Sequence, residues 1–310
     1  MGEVRPSAWR VYGALFTVQV LFGLNYVISK IVVDTFPPLL WASVRIIIAS
    51  SLMVLIAIVF RKPHPEVDRS FFKKLIIFAL LGTIINQASF LTGLSYTTST
   101  NSAVLNTLIP VFTLLIVTIR GQEKATPLRI LGFISAFIGV LSLRRLDQFN
   151  LSDKTLIGDL LMIINCLSYG FFLSYGKSFL EKYNRTWATA WLFIYGSVGL
   201  SVLAIPDYMT FEWPVMTPLL WWCSAFAVFG GTLGTYFLNN WALAYARPSH
   251  VAMMIYIQPS IAAILAWLWF GTPITPRVVI ASLFIFAGLI LAMKHGTGQK
   301  KQRFPVKKYQ

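Results

Sequence analysis

The chain says the same thing twice, and that repetition limits what it can fold into. Residues Gly82 to Gly139 can be laid over Gly231 to Gly288 at a constant offset, without a gap. Gly82 falls on Gly231, Thr83 on Thr232, Leu94 on Leu243, Tyr96 on Tyr245, Ala103 on Ala252 and Pro110 on Pro259. Thr126-Pro127 falls on Thr275-Pro276, and Phe137 falls on Phe286. Upstream, with two residues of slippage, Phe22-Gly23 and Lys30 align with Tyr169-Gly170 and Lys177. A duplication of this length in an apolar chain predicts two homologous membrane bundles with a site between them.

Only 12% of the 310 residues are charged and the mean hydropathy is +0.69, whereas a soluble domain averages about 25% charged residues. The charges cluster between apolar runs long enough to cross about 30 Å of hydrocarbon. No alternating ten-residue segments suggest a β-barrel. The expected fold is an all-α membrane protein with spans at 10–32, 38–60, 74–96, 101–120, 127–144, 156–177, 187–205, 218–242, 250–270 and 277–294. The first run contains Asn25 and Lys30 and lacks a small-x-small cleavage site, so it reads as a retained helix and not as a signal peptide.

The net charge of +15 does not mark a nucleic-acid partner, because Lys and Arg sit where helices end and form no basic stripe on a polar fold. With the N-terminus cytoplasmic, nineteen of the 26 Lys and Arg fall inside, and only Arg144, Arg145, Lys154 and Arg277 fall outside. That asymmetry predicts a multi-pass protein of the cell membrane with both termini cytoplasmic. Five helices per copy is an odd number, so the second copy must enter from the opposite face. The result is an inverted repeat.

Specific residues also resemble a known family. Phe22-Gly23-Leu24-Asn25 with Lys30, its echo Tyr169-Gly170 with Lys177, and Ala103-x-x-Asn106-x-x-x-Pro110 followed by Gly121-Gln122-Glu123 and Thr126-Pro127 are similar to the EamA repeat of the drug/metabolite transporter superfamily. The second copy supplies Ala252, Pro259, Gly271-Thr272, Thr275-Pro276 and Gly288. The chain departs from that pattern where the usual Gly-Glu survives as Gln122-Glu123 and then as Gly271-Thr272. Glu123 reads as structural, at a helix end near Lys124. The resemblance implies a first EamA-like repeat over 1–148, a second over 149–296 and a basic tail over 297–310. It also implies movement of a solute, commonly export of amino acids or related metabolites, drugs or nucleotide-linked compounds.

Polar side chains at bilayer depth need partners, and here they fall on helical stripes. Gln19, Tyr26 and Lys30 share a face of the first helix with Gly23. Asn86 and Phe90 share one on the third helix, with Gln87 beside them, and Asn106 and Pro110 share one on the fourth. Tyr169, Tyr236, Asn239, Tyr256 and Pro259 supply the second half. These residues are the expected substrate contacts, in a cavity walled by helices one, three, four, six, eight and nine. Interhelical hydrogen bonding competes with that role for each Asn and Ser. For Pro110 and Pro259, a gate or carbonyl contact competes with simple bending. Lys30 can equally snorkel to the headgroups, and Arg45 is expected on backbone carbonyls or lipid phosphate. Gly230-x-x-x-Gly234 reads as close packing.

No Asp or Glu lies mid-membrane, no catalytic constellation or phosphate-binding loop occurs, and Cys166 and Cys223 sit inside apolar runs as small hydrophobes. No enzyme, metal or cofactor is expected. The expected partners are the lipid bilayer and a small-molecule substrate, with no nucleic acid. The cations together with Tyr and Phe favour a carboxylate-bearing amino acid or metabolite. A membrane-embedded lipid-modifying enzyme or accessory subunit stays open as the alternative. The tail from Lys300 to Lys308 is expected to be disordered and to rest on the anionic inner leaflet.

Overall fold

Each of the ten expected spans contains helix where it is described in a computed structural model of the chain, which describes residues 6–60, 69–97, 99–124, 126–143, 153–261, 264 and 276–294, so most of 262–270 of the ninth span lies outside the described residues. The basic tail and the Gly271-Thr272 motif lie outside the described residues. α1 is Ala8–Val33 and α2 is Pro38–Val59. α3 spans 69–96 and α4 spans 99–119. α5 is Pro127–Leu143, α6 is Asp153–Lys182 and α7 is Arg185–Leu203. α8 spans 218–245, α9 begins at Pro248, and α10 is Pro276–Lys294. Among the described residues, five segments are long and apolar enough to cross a membrane by length and composition alone: α1, α2, 70–96 of α3, 156–182 of α6 and α7. A short helix that the sequence reading did not anticipate, Ile205–Thr210, follows α7.

The described residues form an all-α bundle of two inverted five-helix repeats, and helix pairing follows that symmetry. α2 packs on α7 and α5 on α10, each pair joining equivalent helices of the two halves. α3 packs on α6, and its counterpart α8 packs on α1. Small residues allow the close approaches. A side chain at Gly288 would run into the Gly132 carbonyl and the backbone of Ala136 on α5. A side chain at Gly231 would occupy the space of the Asn25 amide, and at the equivalent Gly82 that of Phe172. Gly234 lies near Leu21, so close packing holds for Gly231 and Gly234, whereas Gly230 meets only Phe226 of its own helix. Around the outside, Leu55, Ile58, Ile76, Leu115, Val198 and Leu283 are exposed, as lipid-facing side chains must be.

The duplication extends to backbone irregularities. α3 widens into a π-helical turn at Leu80–Ile85, and α8 does so at Phe229–Gly234. These turns are equivalent at the offset of the sequence repeat. Such turns frequently mark functional sites because they free backbone groups and re-aim side chains. In α8 the Thr232 hydroxyl donates to the Ala227 carbonyl, five residues back, at 2.7 Å. Lys30 of α1 pairs with Asp34 at 3.0 Å and donates to the Leu94 and Ser95 carbonyls at 3.1 and 3.3 Å. Its counterpart Lys177 pairs with Glu181 at 3.6 Å and donates to the Ala246 carbonyl. Each lysine thus caps the C-terminal end of a neighbouring helix, where carbonyls lack intrahelical partners.

One buried ion pair ties the first half to the second. Arg129 on α5 donates to Glu123 and to the Ser249 hydroxyl, and that hydroxyl donates to Glu123 at 2.5 Å. The Ser249 amide adds a bond at 3.3 Å. Glu123 is structural, as read, with Arg129 and not Lys124 as its ionic partner. Burial alone would raise its pKa, but the Arg129 charge and the bonds from Ser249 and Arg129 outweigh burial and hold it below the ordinary value. A depressed carboxylate contributes stability above its unfolded pKa and loses it as pH falls through the folded value. Glu123→Gln is therefore expected to lower the stability of the purified protein at neutral pH by about 3 kcal/mol, because it leaves Arg129 buried without its counter-ion. Thermal unfolding measured across pH should show the gap to wild type closing below about pH 4.

Candidate functional site

At the centre of the bundle, a chain of hydrogen-bonded side chains crosses both halves and borders a cavity. Arg45 of α2 donates to the Gln87 carbonyl oxygen. Gln87 Nε2 donates to Asn86 Oδ1 at 2.8 Å and to the Tyr236 hydroxyl at 2.6 Å. Asn86 Nδ2 donates to Asn165 Oδ1 at 2.6 Å, and Asn165 Nδ2 to Asn106 Oδ1 at 2.8 Å. Asn106 Nδ2 donates to the Tyr26 hydroxyl at 2.6 Å. Tyr26 then donates to Gln258 Oε1 at 2.9 Å, and Gln258 to Gln19 Oε1 at 2.7 Å. Every donation runs from Arg45 toward Gln19, so each bond polarises the next in a low-dielectric interior. The path visits α2, α3, α6, α4, α1 and α9, with Tyr236 of α8 as a branch.

Local backbone breaks aim these side chains. Pro110 cannot donate to the Asn106 carbonyl four residues earlier. α4 accordingly breaks between Leu105 and Leu108, and that carbonyl accepts from Ile109 N instead, at 3.0 Å. Pro259 stands in the same relation to Ile255, and α9 tightens to a 3₁₀ turn over Met254–Ile257. Asn106 and Ile255 both line the cavity. In α3, the widened turn presents the Gly82 carbonyl to the Tyr236 hydroxyl at 3.0 Å.

The cavity has a volume of about 50 Å³, room for a few water molecules. Its walls come from α1, α3, α4, α6, α8 and α9 together with Arg45 of α2. Equivalent positions of the two repeats both line it: Phe22 and Tyr169, Asn106 and Ile255, Ile109 and Gln258. Gln87 and Tyr236 are also equivalent, and they touch. The pseudo-two-fold axis therefore passes through this space.

Of the expected contacts, Tyr26, Asn86, Gln87, Phe90, Asn106, Tyr169 and Tyr236 line the cavity. Gln19 and Asn239 stand one hydrogen bond behind it, on Gln258 and Tyr169 respectively. Lys30 does not line it and serves as the helix-end cap already described. Pro110 and Pro259 do not line it either and act through the breaks. Tyr256 packs edge-on against Phe133 of α5 with ring centroids 6.3 Å apart. Ile255, and not Tyr256, is the equivalent of Asn106 at the repeat offset, and the 3₁₀ period that keeps Ile255 and Gln258 on one face leaves Tyr256 about a third of a turn away from it. Arg45 corrects the sequence reading: it is 1% exposed and belongs to the cavity wall, not to lipid phosphate. Asn165 and Gln258 also escaped that reading, although Asn165 is polar at bilayer depth, the one signal that could have found it.

Asn165 is the link between Asn86 and Asn106, so Asn165→Leu would leave the buried Asn86 Nδ2 donor unpaired, at about 1–3 kcal/mol, and leave Asn106 Oδ1 with only the weak bond from Cys166 Sγ at 3.3 Å. Thermal unfolding in detergent is expected to drop by several degrees for Asn165→Leu and to change little for Ile164→Ala, whose side chain faces outward.

Comparison with known proteins agrees with this architecture. The EamA-like transporter family matches the chain twice, over residues 9–145 and 156–294. An uncharacterized transporter, YoaV, of Bacillus subtilis (strain 168) is 23% identical, over 91% of this chain and 96% of its own length. An uncharacterized transporter of Archaeoglobus fulgidus is 28% identical over 82% and 86%, and a WAT1-related protein of Arabidopsis thaliana is 22% identical over 90% and 80%. A protein of known crystal structure superposes with a TM-score of 0.74 at 13% identity, covering 94% of this chain and 98% of that one. At that identity the likeness speaks for the fold. With a duplicated profile match, a shared fold and relatives named as transporters, the chain belongs to the EamA-like transporter family and is a multi-pass membrane transporter.

Proposed function

We propose that this transporter is a secondary exporter of a small organic solute, an amino acid or related metabolite, in the cell membrane with both termini cytoplasmic. The observation that carries the proposal is the position of the cavity. It surrounds the pseudo-two-fold axis, so both halves wall it at equivalent positions. Exchange of the two halves' conformations would expose such a site first to one face and then to the other.

The chemistry of the wall suits a polar solute with an apolar portion. Asn86, Gln87, Asn106, Asn165 and Gln258 offer amide donors and acceptors, while Phe22, Phe90 and Tyr169 offer ring faces. At about 50 Å³ the cavity is too small for an amino acid, and typical ligand sites run from about 300 Å³ upward. Binding therefore has to part the halves. Among the bonds that hold them together at the cavity, Gln87 to Tyr236 and Tyr26 to Gln258 are between side chains whose groups a solute could replace one for one. Such an exchange costs little net free energy because hydrogen bonds made offset hydrogen bonds lost.

Flux into proteoliposomes tests this. A panel of amino acids and related metabolites is expected to include solutes carried faster than in empty liposomes. Asn106→Leu should reduce that flux about tenfold, the worth of one lost buried hydrogen bond, while the lipid-facing Leu115→Ala should leave it unchanged. Unaccelerated flux across the whole panel, with protein correctly inserted, would sink the proposal.

A further inference from the structure

Arg45 is the one charged residue of the cavity wall, and among the described residues no carboxylate pairs with it. It sits in the second turn of α2 beside Ile46, Ile47 and Ile48 and is among the most buried side chains of the bundle. Three ion pairs occur among the described residues, Lys30 with Asp34, Arg129 with Glu123 and Lys177 with Glu181, and none involves Arg45. The cavity wall includes no Asp or Glu. Arg45 Nη2 donates to Gln87, but Nε and Nη1 are buried and have no hydrogen-bond partner among the described residues.

Burying a guanidinium with neither counter-ion nor full hydrogen bonding is strongly unfavourable, and a neutral side chain of similar size would avoid it. A planar group with five N–H donors is well suited to a carboxylate. We propose that Arg45 receives the anionic group of the transported solute, a carboxylate, at the α2 side of the central cavity. This rests on the transport reading above. The polar chain gives the site a second property. Gln87, the acceptor that holds Arg45 here, also donates to Tyr236 of the opposite half. A carboxylate that takes over the guanidinium releases Gln87, and with it a contact on the axis between the halves.

The test is binding to the purified full-length protein, measured by thermal stabilisation and calorimetry and kept separate from flux. The probes are matched pairs, each a zwitterionic amino acid with its C-terminal amide and a monocarboxylate with its primary amide, with chloride as a third arm. In wild type, the acid of at least one pair is expected to bind about tenfold or more tightly than its amide, since charge-assisted bonds are roughly twice as strong as neutral ones. Arg45→Gln should abolish that preference, and Arg45→Lys, which keeps the charge, should retain part of it. If Arg45→Gln does not fold, the wild-type pairs and Arg45→Lys still decide.

Equal binding of acid and amide, an undiminished preference in Arg45→Gln, or no binding by any probe would overturn the proposal. Saturable chloride binding that carboxylates fail to displace would also overturn it, by assigning the site to an inorganic ion. Flux without acid preference would refute the anion site and leave transport standing. Acid preference in binding without flux of any solute would do the reverse.

Discussion

Hydrocarbon offers no hydrogen bonds, so every polar group drawn into this bundle has to be answered by another part of the bundle. That constraint fixes the relation between the two halves. Asn86 on α3 needs Asn165 on α6, which needs Asn106 on α4, which needs Tyr26 on α1, which needs Gln258 on α9. Apolar packing alone would discriminate poorly between helix registers, because lipid tails are as apolar as leucine. The directional amide chain discriminates sharply, since a shift of one residue would strand several buried donors and acceptors together. Arg45 at its head ties this polar geometry to a buried charge.

The duplication is strict in backbone and loose in chemistry. Paired π turns, paired prolines, paired glycines at helix crossings and paired lysine caps recur at equivalent places. The side chains that meet the cavity differ: Gln87 against Tyr236, Asn106 against Ile255, Phe22 against Tyr169. On the proposed transport reading, matched backbones would let each half adopt the other's conformation at comparable free energy, the basis of alternating access through inverted repeats. Unmatched side chains give the cavity an uneven lining, with four amide side chains from α3, α4 and α6 (Asn86, Gln87, Asn106 and Asn165) and two from α1 and α9 (Asn25 and Gln258). The Glu123–Arg129–Ser249 cluster likewise joins unlike positions, α5 and the loop before it to the start of α9.

Much of this was legible in the residues. Apolar runs with breakers between them located ten helices, and the offset between copies identified the two halves. Helical periodicity in the first copy and correspondence with the second together picked out seven residues that line the cavity. The failures have physical causes. Tyr256 and Pro259 stand as the second-half counterparts of the α4 stripe in the sequence reading, whereas the repeat offset makes Ile255 the equivalent of Asn106, and Ile255 lines the cavity. Lys30 was weighed as a substrate contact or a snorkelling cation, yet carbonyls at the end of α3 lay within its reach, a tertiary contact that no local pattern encodes. Arg45, followed by three isoleucines, is assigned by its sequence context to backbone carbonyls or lipid phosphate because the glutamine that receives it lies on another helix. The π turns left a faint trace, the repeated Gly-Thr of Gly82-Thr83 and Gly231-Thr232, legible only once Thr232 is seen bonded five residues back.

The central claim is that a solute crosses through the space around the axis and reaches it from either face. Replacing Cys166 and Cys223 with serine and introducing Asn106→Cys would place a single thiol on the cavity wall. Labelling with a membrane-impermeant thiol reagent, in right-side-out and in inverted vesicles, measures access from each face. Alternating access predicts modification from both faces, slowed in both cases by a transported solute. Modification from one face only, or rates that a transported solute leaves unchanged, would contradict it.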